Sequence, residues 1–359
     1  MKKIFKLGAL SILVSVFLIG CKGDSEDPDN IIVTTSPIPV QITAPINEEQ
    51  YVVGDSILLQ IGVNNAEGIS ELSVYVNDSV FAQNLPISDQ TITIPTTTNS
   101  KVGPTTVIIK YKNGKGEIAQ ESRKVIFFSD LTPIERQAEI VKTFAHAKTS
   151  YTQGLEFYKG KLFEGTGQYN QSVLAEVDLT SGMKIREHAL EGSVFGEGIT
   201  ILNDTIYQIT YKSELCYVYD MNFKLIKTFT YTGEGWGLCN DGKYLMMSNG
   251  SDEIVWRDPN TFVEVKKITV YDNESNVDML NELELINGRL FANLYTDTRL
   301  VEIDTATGKV LSYIDCTTLM LDSKEPGNDV LNGIAYHPET KKIYLTGKWW
   351  SKLYEVRFN

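Results

Sequence analysis

One pattern recurs five times in the C-terminal part of the chain: an apolar strand, a turn and a second strand. The copies begin at Gln153, Glu197, Trp236, Asn281 and Asn332, so they lie 44, 39, 45 and 51 residues apart. Each of the first four leads into a further strand pair, such as LAEVDL-TSG-MKIREH or LVEIDTATGKVLSYID. The fifth ends the chain on KLYEVRF, which lacks a partner. A unit of this size cannot bury its apolar face alone, so the copies must stack on one another. AEIVKTF, residues 138–144, has the character of the missing outer strand and sits at the start of the same region. A ring closed in this way leaves no exposed edge, whereas an open stack would need capping repeats. The expectation is an all-β chain whose residues 138–359 form a five-bladed β-propeller. The turns at 178–182 and 304–308 are expected to be structural hairpins.

Residues 31–130 read differently. Stretches such as SILLQIGVN, ISELSVYVN, TTVIIKYKN and ESRKVIFF favour strands, and pairs such as Asn113-Gly114 separate some of them. The segment has neither histidine nor cysteine. Many short strands in about 100 residues suggest an immunoglobulin-like β-sandwich, suited to a spacer or a binding module. DLTPIERQ, residues 130–137, reads as the linker.

At the N-terminus, Lys2, Lys3 and Lys6 precede the apolar run LGALSILVSVFLIG, which ends at Cys21. This is the layout of a secretory signal and is short for a membrane span. Leu18-Ile19-Gly20-Cys21 resembles a bacterial lipoprotein cleavage box. That resemblance implies a signal peptide at 1–20, lipid on Cys21 and an exported, membrane-anchored protein. The acidic stretch at 21–30 reads as a tether and resembles an export signal of outer-membrane lipoproteins, facing the periplasm or the surface.

Charge excludes one class of partner. Lys and Arg number 33 against 46 Asp and Glu, a net −13, so a basic footprint for nucleic acid is missing. Beyond Cys21 the cysteines are Cys216, Cys239 and Cys316, whose spacing fits no zinc motif and suits buried small side chains. His146, His188 and His337 are likewise far apart and carry no metal-ligand spacing.

In a propeller the inner strands line a central channel, so the alignment brings Gln153, Glu197, Trp236, Asn281 and Asn332 to one rim. Tyr211, Tyr295 and Lys348, at the ends of second strands, approach the same rim. A carboxylate among aromatic rings has a raised pKa and suits proton transfer. A lysine and amides suit a developing oxyanion. Neither a serine hydrolase nor a zinc hydrolase is supported, and Glu282 is the only other carboxylate near the rim.

Six ordered segments carry a family resemblance. They are Tyr151-Thr152-Gln153-Gly154-Leu155, Phe195-Gly196-Glu197-Gly198-Ile199-Thr200, Glu234-Gly235-Trp236-Gly237-Leu238, Leu280-Asn281-Glu282-Leu283-Glu284, Leu331-Asn332-Gly333-Ile334-Ala335-Tyr336 and Thr346-Gly347-Lys348-Trp349. Together they resemble the signature stretches of the plant and bacterial glutamine cyclotransferases, over residues 138–359. The resemblance implies a propeller enzyme that turns the N-terminal glutamine of peptides or proteins into pyroglutamate and releases ammonia. It implies Glu197 as acid/base, with Gln153, Asn281 and Lys348 as polar groups around the substrate and Phe195 and Trp236 as walls. Asn332, from the aligned ring, joins the substrate-binding set. Tyr151 stands where the family usually has phenylalanine, and Tyr211 and Tyr295 where plant members have tryptophan. The implied chemistry needs no metal or other cofactor; the family allows a structural calcium in the channel, for which no local motif stands. The alternatives are a non-catalytic propeller that binds peptides or glycans, and a metal-dependent lactonase.

Overall fold

The computed structural model describes residues 38–359, so the leader, the tether and Cys21 lie outside the described residues. Pro39–Asn359 forms one compact unit. The described chain is all-β apart from one short helix, Thr317–Asp322. Among the described residues, no helix is long and apolar enough to cross a membrane.

The first part forms two sheets. Val40–Ala44, Ile57–Val63 and Gln90–Ile94 make one. Glu49–Val52, Ile118–Phe128, Gly103–Lys112, Ser70–Val76 and Ser79–Leu85 make the other, in that order. Alternation along Ile57–Val63 sends Ile57, Leu59 and Ile61 inward against Leu72, Val74, Val107 and Ile109.

The rest forms strand sets of four, each antiparallel within itself, and all but the last run in chain order. Their first strands are Thr152–Tyr158, Gly196–Leu202, Leu238–Asn240, Leu280–Ile286 and Leu331–His337. Each of these touches the next, and Leu331–His337 touches Thr152–Tyr158, so the inner strands close a ring. The fifth set is completed from upstream. Residues 138–145 of Ile134–Ala145 pair antiparallel with Lys352–Phe358, while residues 134–137 pair parallel with 312–315. One strand therefore joins the fourth and fifth sets. Glycine lets the inner strands crowd together: a Cβ on Gly198 would lie 2.4 Å from Leu238 N, and one on Gly237 would lie 2.0 Å from Asn281 O. The turn at 178–182 is a hairpin turn pinned by Asp178, which accepts N–H bonds from Ser181 and Gly182. Asp304 does the same for Thr307 and Gly308.

The two sheets of the first part are seated on this ring. Val102 N donates to Thr307 O (2.9 Å), Thr269 Oγ1 donates to Val102 O (3.1 Å) and Ser129 N donates to Asp272 O (2.9 Å). The buried Lys309 ammonium donates to Thr98 O (2.6 Å) and pairs with Asp130. Tyr271 is part of the apolar cluster between the two sheets.

Candidate active site

The rim residues are aimed by irregularities in their own strands. The register between the first and second strands shifts at 152–154, 196–199, 280–283 and 331–334. Gln153, Glu197, Asn281 and Asn332 sit within these shifts. A bulge rotates a side chain out of the strand's regular alternation, which is how Gln153, Glu197 and Asn281 come to face the channel end.

A cavity of about 230 Å³ opens there. Gln153, Glu197, Asn281 and Lys348 supply its polar lining, and Tyr151, Phe195, Tyr211, Trp236 and Tyr295 its walls. The rings interlock edge to face: Tyr151 on Phe195 at 6.0 Å, Phe195 on Tyr211 at 5.8 Å, and Trp236 on Tyr295 at 5.4 Å. Asn332 does not line the cavity. It is fully buried one layer behind, where its Nδ2 donates to Gln153 Oε1 (3.0 Å) and Thr152 O (2.9 Å). Gln153 Nε2 in turn donates to Glu197 Oε1 (2.8 Å). Asn332 thus fixes which end of the Gln153 amide faces the carboxyl.

Glu197 is 4% exposed. Burial pushes its carboxyl well above the usual value; the Lys348 charge opposes the shift and Glu234 adds to it. Burial lowers the Lys348 pKa, opposed by the charges of Glu197 and Asp329. The Lys348 Nζ stands over the rings of Tyr151 (4.8 Å) and Tyr295 (5.0 Å) and makes no ion pair among the described residues. Asn281 Oδ1 is buried without a hydrogen-bond partner. A buried polar atom left open in a cavity wall is suited to a ligand.

Two residues at this site escaped the sequence reading. Gln168 lines the cavity although it lies two residues beyond the strand Lys161–Thr166, with φ 89°. The preceding Gly167 is required, since a Cβ there would lie 2.4 Å from the Phe195 ring. Asp329 accepts a hydrogen bond from the Tyr151 hydroxyl (3.3 Å), the group that distinguishes Tyr151 from a phenylalanine.

Glu282 is not at the rim. Its oxygens accept the N–H groups of Leu155 (3.2 Å) and Ile334 (2.8 Å), so it ties three inner strands together. Glu156 and Glu284 are also buried on inner strands, bound to Ile201 N and Tyr336 N. Among the described residues no group of three His, Cys, Asp or Glu side chains is arranged to hold a metal ion. Cys216, Cys239 and Cys316 are buried and unpaired.

Behind Lys348 lies a buried ion pair. His146 Nδ1 donates to Trp350 O (2.9 Å) and Nε2 to Glu164 Oε1 (3.0 Å). Glu164 also accepts from Thr152 Oγ1 (2.7 Å) and Ser150 Oγ (2.9 Å). With an acceptor at each ring nitrogen, His146 holds both protons. Ser150 O receives Trp349 N (2.7 Å), where the backbone has φ 60°, so the network grips the turn that projects Lys348. Burial disfavours the His146 cation, but the Glu164 charge and hydrogen bond raise its pKa above the usual value. Burial also disfavours the Glu164 anion, and the His146 charge with three donors lowers its pKa overall.

The His146 contribution to stability is complete below its unfolded value of about 6.5 and is lost as pH rises through the folded one. The Glu164 contribution is complete above about 4.3 and is lost as pH falls through its depressed value. Glu164→Gln should therefore cost about 3 kcal/mol between roughly pH 4.5 and 6.5, narrowing on the alkaline side. Denaturant unfolding of both proteins across pH checks this, and a difference that widens with alkalinity would contradict the pairing.

Comparison with known proteins agrees with this geometry. Residues 112–358 match the glutamine cyclotransferase family. The chain is 35% identical to the glutaminyl-peptide cyclotransferase of Arabidopsis thaliana over 235 residues, 64% of this chain and 73% of the plant protein. Its structure is similar to that of Myxococcus xanthus glutaminyl cyclase, with a TM-score of 0.60 and 35% identity, covering 63% of this chain and 98% of that one. A match that spans all the inner strands and every residue lining the cavity leaves a plain conclusion: this chain belongs to the glutamine cyclotransferase family.

Proposed function

We propose that the chain is an exported, lipid-anchored glutaminyl-peptide cyclotransferase in which Glu197 moves the protons and Lys348 holds the developing oxyanion. The observation that carries this reading is one small aromatic cavity holding a buried carboxyl, oriented by Gln153, beside a lysine that makes no ion pair among the described residues and an amide whose oxygen has no hydrogen-bond partner. A space of about 230 Å³ is below the usual range for drug-sized ligands and suits a single glutaminyl residue.

The substrate is a peptide or protein with a free N-terminal glutamine. Its neutral α-amine attacks its own side-chain amide carbon, and the carbonyl electron pair moves onto oxygen. The nucleophile is tethered to its target, so positioning is the main task. Lys348 and Asn281 stabilise the oxyanion. Glu197 takes a proton from the attacking nitrogen and passes one to the amide nitrogen. The carbonyl re-forms, the carbon–nitrogen bond breaks, ammonia leaves and a five-membered lactam remains. Tyr151, Phe195, Tyr211, Trp236 and Tyr295 hold the methylene groups and keep water out.

We read the ring of strand sets as a five-bladed β-propeller over residues 138–359, and the two sheets upstream as an immunoglobulin-like sandwich. Lipid on Cys21 would tether both to a bacterial membrane. The activity is tested by incubating the chain with a Gln-initiated peptide and its N-acetylated counterpart. Ammonia release from the free peptide alone supports cyclisation; release from both would contradict it.

A further inference from the structure

A second cavity, of about 490 Å³, adjoins the first, and Tyr295 lines both. One wall is the segment 275–279 and the other the turn 294–299. Once a glutaminyl side chain and α-amine are enclosed by the aromatic walls, only the carbonyl end of that residue points outward, and the rest of the peptide must leave from there. The adjoining groove is of the size class that takes a drug-sized ligand, hence a short peptide segment.

The groove is held in shape from several sides. Tyr295 N donates to Met279 O (2.8 Å), Met279 N to Gly250 O (2.9 Å) and Val277 N to Val270 O (2.8 Å). Just upstream, Asp272 accepts Ser129 N through its carbonyl and the Tyr313 hydroxyl through its carboxylate (2.8 Å). The N-terminal sheets therefore brace this wall through Ser129 and Tyr271.

Its charge is unbalanced. The Asp297 carboxylate is neutralised by Arg299 (2.7 Å). Asp278 is exposed on the opposite wall and has no ion-pair partner among the described residues.

We propose that this groove is a subsite for the residues that follow the N-terminal glutamine, and that Asp278 makes it favour a basic side chain there. The proposal rests on the cyclotransferase reading. Its test compares kcat/KM of the full chain on glutamine amide, on a Gln-Lys-Ala peptide and on a Gln-Glu-Ala peptide, at low and high salt. The Lys peptide should exceed the Glu peptide by about 2- to 5-fold at low salt, the range of an exposed ion pair, with the gap closing in high salt. Asp278→Asn should bring the ratio near unity, and Asp278→Lys should invert it. A Lys/Glu ratio identical in the natural protein and both variants would overturn the subsite while leaving the cyclisation reading intact. Absence of turnover on all three substrates would overturn the cyclotransferase reading and the subsite with it.

Discussion

Glu197→Gln should lower kcat by about 10²–10⁴-fold, the usual share of general acid–base catalysis, with KM changed far less. The substitution keeps the side-chain size. Its amide oxygen can still accept from Gln153 Nε2, so the fold and the cavity should persist. What disappears is a group able to take and give a proton. Burial holds its pKa well above the usual carboxyl value, which makes its anion a stronger base than an exposed carboxylate. The sign follows. The base form grows as pH rises through this elevated value, so kcat/KM should climb there in the natural enzyme. The variant should lose that limb and keep only the titration of the substrate amine. Near-normal turnover by Glu197→Gln would remove Glu197 as the shuttle. Glu282 would be a poor replacement, because both its oxygens are engaged by backbone N–H groups.

Lys348→Ala should lower kcat by about 10²–10³-fold, the typical cost of removing one oxyanion donor. The Nζ is held between two ring faces rather than by a carboxylate, so its charge is available to the substrate oxygen. Removing it also removes the charge that opposes protonation of Glu197, so the acid limb of the pH profile should move further up. Lys348→Arg is not a neutral swap, since a planar guanidinium needs more width than an ammonium between Tyr151 and Tyr295. Steady-state kinetics across pH on a Gln-initiated peptide separate these effects. A fall in kcat with an unmoved pH profile would place Lys348 away from Glu197 in function.

Most of the cavity lining was legible from repeat spacing and motif resemblance. The residue that opens each copy of the pattern is set by its place in the repeat, and Gln153, Glu197, Trp236 and Asn281 meet for that reason. Spacing does not report which way a residue turns within a bulge. Asn332 occupies the same aligned position, yet it turns toward Thr152 and Gln153 and not into the cavity. Glu282 shares a segment with Asn281, but it stands where other copies have glycine, and there it ties the ring together. Gln168 was missed because it follows a glycine beyond a strand end, where periodicity carries no signal. The His146–Glu164 pair joins residues 18 positions apart that look unremarkable singly; burial makes them one unit. The seat of the N-terminal sheets on the ring rests on Tyr271, Thr269 and Lys309, which lie in or beside turns where the sequence shows only loop chemistry.

The most direct test of the central claim is the fate of solvent oxygen. A Gln-initiated peptide is incubated with the full chain in water enriched in heavy oxygen, and the product is weighed by mass spectrometry. Attack by the peptide's own amine predicts a product lighter by one ammonia that contains no solvent oxygen. A glutamate-initiated product carrying solvent oxygen would mean that water is the nucleophile, and it would contradict the assignment of this cavity to cyclisation.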